Sequence, residues 1–112
     1  MYAMKKLSSS TNGAPLAVGN TSTTIHLCTS QNIDGVYDQM FVWAANTDSA
    51  PHQLTITLGS GTTIVGAYTI PPNSALMLVV PGLIGNNSSV LAMSADTASK
   101  IYVAGYIFNV GY

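Results

Sequence analysis

A chain of 112 residues that is 47% hydrophobic, only 6% charged and devoid of arginine and glutamate has the size of one domain. Surface scaling leaves roughly 5,800 Å² exposed and buries about two-thirds of the unfolded surface, enough for a single core. Three lysines against four aspartates do not supply the clustered cations that phosphate neutralisation or a polybasic membrane contact requires, which excludes nucleic acid and membrane surfaces as partners.

No long segment repeats with helical period, whereas several alternate or form short β-branched runs closed by Gly, Pro or Asn. The opening "MYAMKKLSSSTNG", Met1 to Gly13, reads as a flexible polar arm ahead of a single β-sandwich domain over 14–112. Serines follow Leu7 where a signal peptide would carry an apolar stretch, so none is visible. "APLAVG" and "TTIHLCT" are the first candidate strands, the second alternating Ile25 and Leu27 against His26 and Cys28. A lone cysteine in such a strand behaves as a small apolar residue, and His26 reads as a satisfied polar side chain on an edge strand.

After a turn at Asp34-Gly35, "VYDQMFVWAAN" is apolar on both faces, Met40, Val42 and Ala44 against Phe41, Trp43 and Ala45. "QLTITLG" puts Leu54, Ile56 and Leu58 on one face and threonines on the other. The turn Gly59 to Gly61 then leads into "TTIVGAYTI" as a hairpin, which Pro71, Pro72 and Asn73 end. In "SALMLVV", Leu76, Leu78 and Val80 are expected to face the core and Met77 and Val79 the opposite side, with Pro81-Gly82 as a type II turn stopping the strand. The run from Ala75 to Ile84 is far short of the roughly 20 apolar residues of a spanning helix. "NNSS" separates off "VLAMSA", and "KIYVAGYIFNVGY" sets Ile101, Val103 and Ile107 against Tyr102, Tyr106, Phe108 and Val110. About eight short strands so spaced predict an all-β, antiparallel, jelly-roll-like sandwich.

In a two-layer sandwich only one face of each sheet meets the core, so strands apolar on both faces need a second cover. Burying one aromatic side chain is worth about 1.5 to 3 kcal/mol. Phe41, Trp43, Met77, Val79, Tyr102, Tyr106 and Phe108 are therefore the candidate contacts to another protein chain, in a homo-oligomer or on a larger partner.

Catalytic chemistry finds little support. His26, His52 and Cys28 lack the short spacing of a metal site, so no cofactor or metal is expected, and His52 beside Pro51 reads as an exposed loop residue. Asn32, Asp34, Asp38 and Asp48 do not form a calcium loop, no pair of aspartates stands out for glycosidic hydrolysis, and no nucleophile elbow is present. Tyr37, Trp43, Tyr68 and Tyr102 are residue types that stack on sugars, which keeps a carbohydrate-binding module as the alternative to a structural protein.

"KKLSSSTNGAPLAV", "MFVWAANTDSAPHQLTITLG", "IPPNSALMLVVPGLI" and "IYVAGYIFNV" together resemble the small all-β capsid decoration, or cement, proteins of tailed bacteriophages, over most of the chain and without a short diagnostic motif. The resemblance implies a non-catalytic virion protein, made in the host cytoplasm, that sits on the outer surface of the capsid, commonly as a homotrimer, and clamps the major capsid protein lattice. A spike or tail component is a related possibility. On that reading removal of the arm over 1–13 weakens docking and leaves the folded core intact.

Overall fold

In a computed structural model, described over residues 2–59, 63–74 and 76–110, nine strands and no helix form two antiparallel sheets. The tip of the predicted hairpin at Ser60 to Thr62, Ala75, and the first residue of the arm with the last two of the final segment lie outside the described residues. The strands are β1 (Tyr2–Lys6), β2 (Leu16–Ala17), β3 (Thr23–Leu27), β4 (Tyr37–Asn46), β5 (His52–Gly59), β6 (Thr63–Ile70), β7 (Met77–Gly85), β8 (Val90–Ala95) and β9 (Ile101–Val110).

One sheet, here sheet A, runs β1-β9-β4-β7, with the two-residue β2 beside β1 on the same flank of β9; the other, sheet B, runs β3-β8-β5-β6. The pairing is nested. β5 pairs β6, β4 pairs β7, β3 pairs β8, and β1 with β2 pairs β9, so the chain is one long antiparallel ribbon folded back at the β5–β6 hairpin. Two further ladders, β4 to β9 and β5 to β8, close the rolled ribbon into two layers. This is the strand order of a jelly roll, as expected from the sequence.

The inner faces follow the alternation. Met40, Val42 and Ala44 of β4, Leu54 and Ile56 of β5, and Ile101, Val103 and Ile107 of β9 are all buried, and the total exposed surface of 5801 Å² agrees with the scaling estimate.

Three expectations are corrected. Residues 2–13 do not form a free polar arm: Tyr2–Lys6 is a strand paired with β9 from Tyr2↔Val110 to Lys6↔Tyr106, and Leu7 is completely buried. The next residues cross to sheet B, where Ser8 N–H donates to His26 Nδ1 (3.0 Å), Leu27 N–H donates to Ser8 Oγ (2.7 Å) and Ser9 N–H donates to the Ile25 carbonyl (3.3 Å). Leu7 to Ser9 thus form a strap across the seam between the sheets.

Second, Pro81-Gly82 does not stop β7, which continues to Gly85. β7 is an edge strand, where proline's missing N–H removes no ladder bond, and Gly82 takes a φ of +97° at a bulge between the pairs Phe41↔Pro81 and Met40↔Leu83. Third, Val79 does not face outward: it is buried beside Val80 while Leu78 is exposed. Another bulge, between Val42↔Val80 and Trp43↔Leu78, leaves Val79 unpaired and shifts the alternation by one residue.

Candidate interaction face

The outer face of sheet A is built by the residues that alternate with the core positions of β4 and β9. Register places Phe41 opposite Tyr106 and Gln39 opposite Phe108, with Trp43 opposite Ala104. The ring centroids of Phe41 and Tyr106 are 5.4 Å apart in a stacked arrangement, and Tyr106 meets Phe108 edge-on at 5.4 Å. Phe41 meets Phe108 edge-on at 6.1 Å, and Trp43 lies 5.8 Å from Tyr106. Such aromatic pairs contribute about 0.5–1.5 kcal/mol each beyond their area, so the row holds its shape on the sheet. Gly82 leaves room for it: a Cβ there would stand 3.3 Å from the Phe41 ring.

Flanking strands extend the apolar surface. Met4 of β1 stands opposite Phe108, Leu78 of β7 opposite Trp43, and Ile84 of β7 opposite Gln39; their exposures are 66%, 46% and 53%. Lys6, opposite Tyr106, turns its ammonium to the Leu7 carbonyl (3.4 Å). Of the predicted contacts, the fold gathers Phe41, Trp43, Tyr106 and Phe108 into one cluster and places Tyr102 one pair further along, opposite Ala45. Met77 lies at the start of β7 opposite Ala44, outside the ring cluster, and Val79 is core. Met4, Leu78 and Ile84 were not foreseen, because only the pairing of β1 and the bulges of β7 bring them to this face.

The sugar-stacking candidates are dispersed. Trp43 is in the aromatic row, Tyr102 is at one end of sheet A and Tyr68 is on β6 of the other sheet. Tyr37, at the start of β4, donates its hydroxyl to Asp34 Oδ1 (2.9 Å).

Buried polar groups form two satisfied networks. His26 Nε2 lies 2.8 Å from Asp38 Oδ2, which also accepts Thr29 N–H (3.0 Å), while Asn109 Nδ2 donates to Asp38 Oδ1. Because His26 Nδ1 accepts from Ser8 N–H, the ring proton sits on Nε2 and points at Asp38. With Cys28 these groups bring an imidazole, a thiol and a carboxylate within 4.8 Å of one another. A metal ion on Nε2 would force the proton onto Nδ1, against the Ser8 N–H, and burial followed by the charge of Asp38 pushes the Cys28 thiol up to about 11. As oriented by the Ser8 N–H, the imidazole serves the hydrogen bond to Asp38. A polar cleft of about 650 Å³ opens above it between β1 and β3, lined in part by Lys5, Ser8 and Asn109.

His52 is not the exposed loop residue expected: it opens β5, is buried, and sits between Asp48 Oδ2 (2.7 Å from Nε2) and Asp96 Oδ1 (2.8 Å from Nδ1). Comparison with family models, with curated proteins and with solved structures finds no match to this chain.

Proposed function

We propose that this protein is a non-catalytic structural component of a virus particle, which decorates and stabilises a capsid by docking the outer face of sheet A on the major capsid protein. The observation that carries the reading is the continuous apolar face of Phe41, Trp43, Tyr106 and Phe108 rimmed by exposed Met4, Leu78 and Ile84. Apolar patches of this kind mark contacts with other macromolecules, and the resemblance to decoration proteins supplies the partner. The mechanism is mass action: a subunit that binds only the assembled lattice adds its binding free energy to that lattice, and many equivalent contacts on one shell act together.

The test is co-sedimentation of the purified protein with expanded capsids of the source phage. The wild type is expected to bind, and the double variant Met4→Asp/Ile84→Asp, altered only at exposed positions, to melt as the wild type does and lose capsid binding. A wild-type protein that ignores capsids and instead changes its tryptophan fluorescence with an oligosaccharide overturns the proposal in favour of a carbohydrate-binding module.

A further inference from the structure

Rolled sandwiches leave open sheet edges, and an unprotected edge is a template for another chain unless charge, proline, bulges or an overlying segment blocks it. Among the described residues three of the four edges are blocked. β1 ends in Lys5 and Lys6. β3 is covered by the strap, which takes up Leu27 N–H and the Ile25 carbonyl. β7 carries Pro81 and two bulges.

β6 differs from all three. Its sequence, TIVGAYTI, has no charge and no proline. Ile64, Val65 and Tyr68 are 64%, 46% and 38% exposed, and Ala67 and Thr69 are exposed as well. Among the described residues, no segment other than β5 takes up backbone hydrogen bonds along 64–69. A bulge at Val65, between Ile64↔Thr57 and Gly66↔Ile56, is its one irregularity, and the ladder from Gly66 to Ile70 is regular. Next to it an apolar groove of about 180 Å³ is lined by Val65 and Tyr68 of β6 and by Val79, Pro81 and Leu83 of β7.

We infer that β6 is the self-association edge of this protein, and that its occupant is β6 of a second copy, paired antiparallel about a two-fold axis. Two features favour an identical strand. An antiparallel ladder between two copies of one edge is self-complementary, each residue i facing j as j faces i. With no charge anywhere on β6, no like charges are brought opposite each other, the usual obstacle to self-pairing. The product is one continuous eight-stranded sheet, β3-β8-β5-β6 joined to its symmetry copy. A two-fold contact closes at two copies, so this edge does not build the trimer that the resemblance implies. It is also separate from the docking face on sheet A and does not depend on it.

Sedimentation equilibrium of the full chain tests the inference. The wild type is expected to show a concentration-dependent two-copy mass. Ala67→Lys/Thr69→Lys, at exposed β6 positions, sets like charges across the axis and should raise the dimer dissociation constant by about tenfold or more, with far-UV circular dichroism unchanged and melting equal to that of the wild type at dilutions where both are monomeric. Amide exchange along 66–70 should slow as the wild-type concentration rises, and not in the lysine variant. A wild type that is monomeric or trimeric at every concentration, or a lysine variant that dimerises normally, overturns the pairing. Met4→Asp/Ile84→Asp should still dimerise, so capsid binding and self-association fail independently.

Discussion

Both ring nitrogens of His52 face carboxylates, so both must donate, and that is the imidazolium form. The hydrogen bond to Asp48 is the main cause that raises its pKa above the ordinary 6.5; burial opposes it and Asp96 adds to it. A group raised in the folded state contributes stability that is complete below its unfolded value and disappears as the pH climbs through the folded one. The same bond chiefly lowers Asp48 below its ordinary 3.8, and that contribution disappears as the pH falls. Melting temperature should therefore peak between the ordinary values of 3.8 and 6.5 and decline on both sides, and His52→Gln should flatten the alkaline limb. A wild-type melting temperature that rises steadily from about pH 6 to pH 9 contradicts this assignment. Cys28, buried against Met40, contrasts with it: a thiol pushed up to about 11 stays protonated and inert at neutral pH.

Among the strands, β9 is central, pairing β4 on one side and β1 with β2 on the other, and its contact with β4 depends on Gly105. Gly105 lies opposite Val42, and a Cβ there would collide with the Phe41 carbonyl oxygen and stand 2.9 Å from the Val42 Cα. Backbone cannot yield as a flexible side chain can, so Gly105→Ala must pry β9 from β4. We expect a loss of about 2–4 kcal/mol in urea unfolding; a change below about 0.5 kcal/mol would mean that the ladder accommodates a methyl group. This constraint is invisible in "YVAGYIF", where Gly105 looks like a weak point in a strand. The alternation of β4, β5 and β9 was legible because in each the core residues recur at every second position, and the aromatic row of Phe41, Trp43, Tyr106 and Phe108 came with it. The faces of β7 were not, because bulges opposite Phe41 and Trp43 depend on a partner strand over 30 residues away in sequence. His52 was misread for a similar reason, since Asp96 is 44 residues distant. Leu7 looked like one apolar residue in a polar stretch; only the seam it fills reveals its role.

At the scale of the molecule, that seam argues against the expectation that removing the first residues leaves the folded core intact. Deleting 1–10 removes the β1 ladder, the Leu7 side chain and the cover of β3 together. Leu7→Ala alone should cost about 2–5 kcal/mol, and the deletion should melt at a much lower temperature or without a cooperative transition. A truncated protein that melts with the full-length one would show that the strap adds nothing to the fold. The nested pairing has a consequence for biosynthesis as well. Each successive ladder joins residues further apart in sequence, from the β5–β6 hairpin out to Tyr2↔Val110, and pairing of such distant segments is slow. A nascent chain that has not yet released Ile101–Val110 from the ribosome leaves one flank of β4 and the whole of β1 without a partner. The two sheets can therefore close only after translation has passed β9, and until then β4 is an open edge carrying Phe41 and Trp43, the point at which a stalled chain is most exposed to aggregation.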